Sequence, residues 1–188
     1  MLKAKLVSTD NELEQIAALS NANLSANISA ETKAREGFVS WVYTPEILKA
    51  LHAVAPSVIV MDGGALAGYA ITLTRECLPL YPAAADTFMH ASTLFFGGRP
   101  LSQHPFYLMG QICVAEAWRG KGIVDVLYQG HRQFYHSRYD FLVTEISTSN
   151  PRSLRAHQKV GFAIIDTHHD PAGHWDVVCW DWSKRLND

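Results

Sequence analysis

The chain has 188 residues, 48% of them hydrophobic and 18% charged, with a formal net charge of −2. That length suits one domain spanning 1–188 with a sizeable core and excludes a disordered tail, and the slight negative charge argues against bulk nucleic-acid binding. No apolar run reaches the roughly 18 residues of a membrane span, and the charged start Met1–Lys5 has no signal-peptide apolar stretch behind it.

In chain order, 2–7 reads as an edge strand. Thr9 and Glu12 form a capping-box pattern, and Leu13, Ile16 and Ala17 behind it repeat at helical spacing. After a polar stretch, 21–29, a second helical zone is expected over 31–42. Thr44-Pro45 opens a helix through Ile47, Leu48 and Leu51, closed by Pro56. Residues 57–61 and 66–74 read as strands joined at Asp62-Gly63-Gly64, an antiparallel hairpin. The glycines Gly63, Gly64 and Gly68 do not lead from a strand into a helix, so they make no phosphate loop. Residues 75–105 differ in character, with Pro79, Pro82, Pro100 and Pro105 among Tyr81, Phe88, Phe95 and Phe96. This segment reads as an insertion holding a helix over 83–95, either a lid over a site or an extra core helix.

The chemistry lies in the second half. Residues 106–115 form an apolar strand, and Trp118-Arg119-Gly120-Lys121-Gly122 leads at once into a helical pattern from Ile123 to Tyr135. A glycine-rich basic turn at a helix N-terminus binds anions: first-turn N–H groups lack helical partners, the dipole favours negative charge, and glycine lets the backbone approach. It is not a P-loop, since no Ser or Thr follows the Gly120-Lys121 pair. It is not a dinucleotide fingerprint, since Asp125 stands where the third glycine belongs. Residues 141–148 form a further strand. Asn150-Pro151 then opens a helix that stops at Gly161, and 162–166 pairs with 176–182.

Arg119-Gly120-Lys121-Gly122-Ile123, followed by Asn150-x-x-Ser153-x-x-x-His157-x-x-x-Gly161-Phe162, resembles the GNAT superfamily of N-acetyltransferases. The resemblance implies an α/β (α+β) fold with a mixed, mostly antiparallel central sheet, splayed central parallel strands and helices on both faces. It implies acetyl-CoA as acyl-donor cosubstrate, with its pantetheine arm along Ile112, Cys113 and Val114. The pyrophosphate would lie on Arg119, Gly120, Lys121, Gly122, Ile123 and Val124, and the arm would meet Asn150 and Ser153. Val124 departs from the pattern, standing where a small residue is usual.

The implied reaction is direct attack of a primary amine, from a small molecule or a peptide N-terminus, on the thioester. Glu145 is the candidate base, on the same face of strand 141–148 as Phe141 and Val143, five residues before Asn150 like the base glutamate of ribosomal-protein N-terminal acetyltransferases. It could equally pair with a cation. His157 stands where the family carries tyrosine as the acid near sulfur, or is a core histidine. The acceptor pocket is expected from about 21–42 and 76–105. His168, His169, Asp170, His174 and Asp176 look like a metal cluster, but adjacent strand residues face opposite ways, so no metal is expected. The three cysteines, Cys77, Cys113 and Cys179, are widely spaced without a C-x-x-C, which points to a reducing, cytoplasmic setting, with Cys113 in the core. Trp175, Trp180 and Trp182 suit sheet packing or a homodimer edge. The competing reading is a coenzyme A binding or sensor module without turnover; no nucleic-acid or membrane partner is expected.

Overall fold

Strands that are apolar on both faces need two covering layers, and the computed structural model, which describes residues 2–183, supplies them. In chain order the elements are β1 (Ala4–Leu6), α1 (Asp10–Ala22), α2 (Ala30–Glu36), α3 (Pro45–Val54), β2 (Val58–Asp62), β3 (Ala65–Leu73), α4 (Ala85–Thr93), the two-residue strands β4 (Phe95–Phe96) and β5 (Arg99–Pro100), β6 (Phe106–Val114), α5 (Ile123–Tyr135), β7 (Phe141–Ser147), α6 (Pro151–Val160), β8 (Ala163–Asp170) and β9 (Gly173–Asp181). Seven strands form one sheet in the order β1-β2-β3-β6-β7-β9-β8, and β4-β5 is a separate hairpin. Every neighbouring pair in the sheet is antiparallel except β6 and β7. This is the mixed α/β architecture expected.

One face of the sheet packs under α1, α3 and α4, through Ile16, Leu48, Leu51, Phe88, Leu108 and Val143. The other packs under α5 and α6, through Val58, Tyr107, Leu127, Tyr128, Leu154 and Val178. The capping box is formed, with Thr9 accepting from the Glu12 amide and the Glu12 carboxylate accepting from Thr9. Thr44 and Asn150 cap α3 and α6 with proline in the first turn. Gly130 lets α5 lie close on β1 and β2, since a Cβ there would sit 2.5 Å from Ala4.

Two expectations need correction. The helical zone over 31–42 ends at Glu36, because Gly37 turns out of the helix at φ +80° and Val39 then bridges to Leu24. The last strand pair is longer than 162–166 and 176–182. Asp170 Oδ1 accepts from the amides of Ala172 and Gly173, so the turn shrinks and pairing runs on to Asp170↔Gly173. His168, His169 and His174 therefore belong to strands.

Three irregularities shape the sheet around the site. In β6, Ala70 pairs with Ile112 but Thr72 with Met109, so Gly110 and Gln111 together oppose Ile71. In β8, Ile164 pairs with Val178 but Asp166 with Val177, leaving Ile165 as an extra residue. A one-residue bulge reverses the facing of everything beyond it. Finally, β6 and β7 pair only from Phe106↔Phe141 to Leu108↔Val143 and then part. At the fork the Thr144 hydroxyl donates to the Met109 carbonyl at 2.8 Å.

The segment over 75–105, expected as an insertion, is anchored in the core. Phe88 and Ala91 of α4 are buried, and the Phe88 ring stacks on Phe106 with centroids 4.6 Å apart.

Candidate active site

The gap between the forked strands opens into a cleft on each side. In β6 the Ala115 amide donates to Ala67 of β3, so strand alternation turns the N–H and C=O of Ile112 and Val114 toward the gap. The Val114 carbonyl accepts from Arg119 Nε at 3.2 Å, and Arg119 Nη2 reaches Asn23 Oδ1 at 2.8 Å. Cys113 is buried, and desolvation pushes its thiol up to about 11.

Below the gap lies a cavity of about 540 Å³, bordered by Ile112 to Val114, the turn 118–120, the start of α5 and one face of α6. Gly120 and Gly122 sit at φ +74° and +78°, with nothing within 4 Å of where a Cβ would be. Their backbone conformation, not crowding, demands glycine. Among the described residues no side chain caps α5, so the first-turn amides of Ile123 and Val124 are available to a ligand. The Ile123 side chain is buried, while Val124 borders the cavity and packs on the core. The Lys121 side chain is exposed and lies outside the cavity lining. Arg119, Arg152 and Lys159 line the cavity, against Asp125 as its acidic residue among those described. The sequence reading missed Arg152 and Lys159. Their signal was present: Arg152, Ala156 and Lys159 recur at i, i+4 and i+7 on α6.

The N-terminus of α6 joins the two cavities. Asn150 is buried; its Oδ1 accepts from the Ser153 amide at 3.2 Å and its Nδ2 reaches the Phe38 carbonyl at 3.4 Å. Gly37 lies so close that a Cβ would come within 2.9 Å of that Oδ1. His157 Nδ1–H donates to the Ser153 carbonyl at 2.8 Å, which fixes the tautomer, and Nε2 then accepts from the Tyr128 hydroxyl. Burial lowers the His157 pKa to about 4, so the ring is neutral at pH 7. In this arrangement both ring nitrogens serve the fold.

Above the gap is a larger cavity, of about 1190 Å³. Residues 24–26, 38–42, 83, 86 and 87 line it, together with the β6 bulge, β7 and the β8–β9 turn. Its floor is polar and buried: Gln111 Oε1 accepts from Ser20 Oγ at 2.8 Å and from the Tyr69 hydroxyl, and Gln111 Nε2 donates to the Trp41 carbonyl. Trp41 and Trp175 supply aromatic wall, and Asp86 and Asp170 stand at exposed positions. Trp175 Nε1 and the turn amides hold the Asp170 carboxyl below its usual range.

Glu145 is in this cavity wall, on the Phe141 and Val143 face of β7. Thr87 Oγ1 donates to its Oε2 at 2.8 Å, and His168 Nε2 lies 3.0 Å from its Oε1. Thr87 and His168 carried no sequence signal, since 58 and 23 residues separate them from Glu145. His168 and His169 turn to different neighbours; the His169 ring stacks on His174.

Neither family models nor curated protein sequences match this chain. Solved structures do. The ribosomal-protein-S18-alanine N-acetyltransferase from Escherichia coli superimposes at TM-score 0.63 and 11% identity, over 100% of this chain and 98% of that one. An acetyltransferase of the GNAT family from Streptococcus agalactiae gives 0.63 and 16%, over 96% and 95%. The structure of yncA from Salmonella typhimurium with its cofactor acetyl-CoA gives 0.62 and 13%, over 98% and 96%. The fold is the GNAT acetyltransferase fold. Coverage is near complete on both sides of each comparison.

Proposed function

We propose that this chain is an acetyl-CoA dependent N-acetyltransferase, acting on a primary amine of a small molecule or a peptide N-terminus. The observation that carries the reading is the fork itself. It has strand-edge amides at Ile112 and Val114, an anion nest at Gly120–Gly122 on one side, and a held carboxylate, Glu145, on the other.

In this reading the acetyl-CoA pyrophosphate takes the first-turn amides of α5, with Arg119, Arg152 and Lys159 supplying positive charge. The thioester arm lies along the open edge of β6. The amine enters through the larger cavity and gives one proton to a Glu145 oxygen. Its lone pair attacks the carbonyl carbon, and the carbonyl π pair moves onto oxygen, where a gap-facing amide of Ile112 or Val114 receives it. The C–S bond then breaks and the thiolate departs; a thiol of pKa about 8.5 leaves without obligatory protonation. The second proton of the nitrogen goes to solvent. His157, neutral and tied to Ser153 and Tyr128, forms the wall at the meeting of the two cavities.

Two observations favour a second reading, a coenzyme A binding module without turnover. His157 has both nitrogens engaged, and Val124 fills a place beside the nest. Calorimetry with acetyl-CoA, desulfo-coenzyme A and ATP, followed by a thiol-release screen of primary amines, separates the two. Micromolar binding of both coenzyme A species, weak ATP binding and amine-dependent thiol release are expected. Binding with no amine-dependent release leaves the binding module. No binding of either species removes both.

A further inference from the structure

The Glu145 carboxylate is held from two distant parts of the chain. It is 15% exposed, and each oxygen has its own neighbour, Thr87 on α4 at 2.8 Å and His168 on β8 at 3.0 Å. Behind them stands a second pair spanning the same two elements. The His168 ring lies 4.4 Å from the His90 ring of α4, and His90 Nε2 bonds Asp166 Oδ2 of β8 at 2.8 Å. The Ile165 bulge makes this meeting happen. Without the extra residue, Asp166 and His168 would face the opposite side of the sheet.

We propose that Thr87 and His168 are positioning residues that aim the Glu145 carboxylate at the amine, so that the base is complete only while α4 is seated on β7 and β8. The inference rests on the reading of Glu145 as base. A carboxylate on two methylenes swings over several rotamers. Two donors on its two oxygens fix one of them and leave a lone pair of each oxygen for the cavity. Proton transfer needs that aim, since a small misplacement of a catalytic group is costly in rate. Thr87 also borders the acceptor cavity, so an amine that seats α4 also sets the base.

The test measures kcat, KM for the amine and the acetyl-CoA dissociation constant, with the best amine from the thiol-release screen. Thr87→Val and His168→Leu are each expected to lower kcat about tenfold while leaving acetyl-CoA affinity within twofold. Thr87→Ser and His168→Gln, which keep a donor, should restore most of the rate. In a Glu145→Gln background the Thr87 and His168 substitutions should have no further effect, because they act only through that carboxylate. A purely structural role would lower the rate in both backgrounds. Silent Thr87→Val and His168→Leu, or losses that persist unchanged beside Glu145→Gln, overturn the proposal. Thr87→Ala replaces Thr87→Val if the valine variant fails to fold. A silent Glu145→Gln instead removes the base reading and this inference with it. A Glu145→Gln loss beside silent positioning variants removes only the inference.

Discussion

Below the fork the cavity presents chiefly backbone, with Arg119, Arg152 and Lys159 beside it: the edge amides of β6, two left-handed glycines and the open end of α5. Above it the cavity presents side chains: Glu145 held by Thr87 and His168, and Gln111 held by Ser20 and Tyr69. The lower cleft's turn is set by local backbone conformation at Gly120 and Gly122. The upper cleft is set by register between elements far apart in sequence, so a one-residue slip in β6 or β8 would dismantle it. Their histidines differ in the same way. His131 and His157, packed around Tyr128 beneath the fork, have no acidic partner among the described residues and are held neutral by burial, at about 3 and about 4. His90 and His168 above it lie against carboxylates.

Acid separates these halves with the largest expected effect. An unfolded histidine titrates near 6.5. Below that value the unfolded chain binds two protons that the fold refuses at His131 and His157, so stability falls as pH falls from about 6.5 toward 4. Above about 6.5 both states carry these two rings neutral, and they add no pH dependence. These two rings contribute a slope approaching two protons, about 2.7 kcal/mol per pH unit. Urea unfolding at pH 7, 6 and 5 measures it, and His157→Gln should reduce the slope by one proton. A flat stability from pH 6.5 to 5 would show that the two rings are not held neutral.

The next effect belongs to the upper cleft alone. Glu145→Gln keeps the size of the side chain and an oxygen for Thr87 but removes the proposed base. A loss of about 100-fold or more in kcat is expected, with acetyl-CoA affinity unchanged by calorimetry. If affinity falls with rate, the two clefts are less separate than their construction suggests.

Gly122→Ala makes the converse cut. An L-residue at φ +78° costs about 1–2 kcal/mol, so the nest either strains or reshapes. Acetyl-CoA should bind about tenfold more weakly, with kcat at saturation preserved. An unchanged dissociation constant would mean that the phosphates do not use this turn.

The same division decides what could be read in advance. The turn Arg119–Gly122, the cap at Asn150 and the strand–helix order were legible because each rests on residues close in sequence. Glycine has few other reasons to recur before a helix start, and asparagine before proline marks a helix start. The base candidate was legible only as a carboxylate at the right strand position. Thr87 and His168 were not, because α4 meets β8 through a bulge that no periodicity announces. The helix expected to run on to residue 42 failed for a local reason, the left-handed Gly37, which a single glycine in a polar stretch signals weakly.

Asn150 belongs to both clefts, and its removal carries the smallest and most diagnostic effect. The side chain does two things with two atoms: Oδ1 caps α6 through the Ser153 amide, and Nδ2 ties the 37–38 segment that borders both cavities. Asn150→Ala loses both, at a cost of about 1 kcal/mol in the cap and a fall of about 2–4 °C in melting temperature. Asn150→Asp keeps the cap, and a carboxylate at a helix N-terminus is favourable there, but it presents an acceptor to the Phe38 carbonyl where a donor stood. The aspartate variant should therefore melt close to the wild type while binding acetyl-CoA more weakly, because the segment over the cavity is released and a negative charge is added to the cavity proposed for acetyl-CoA. If Asn150→Asp restores affinity as well as stability, capping is all that Asn150 does, and the two clefts are joined by the fork alone.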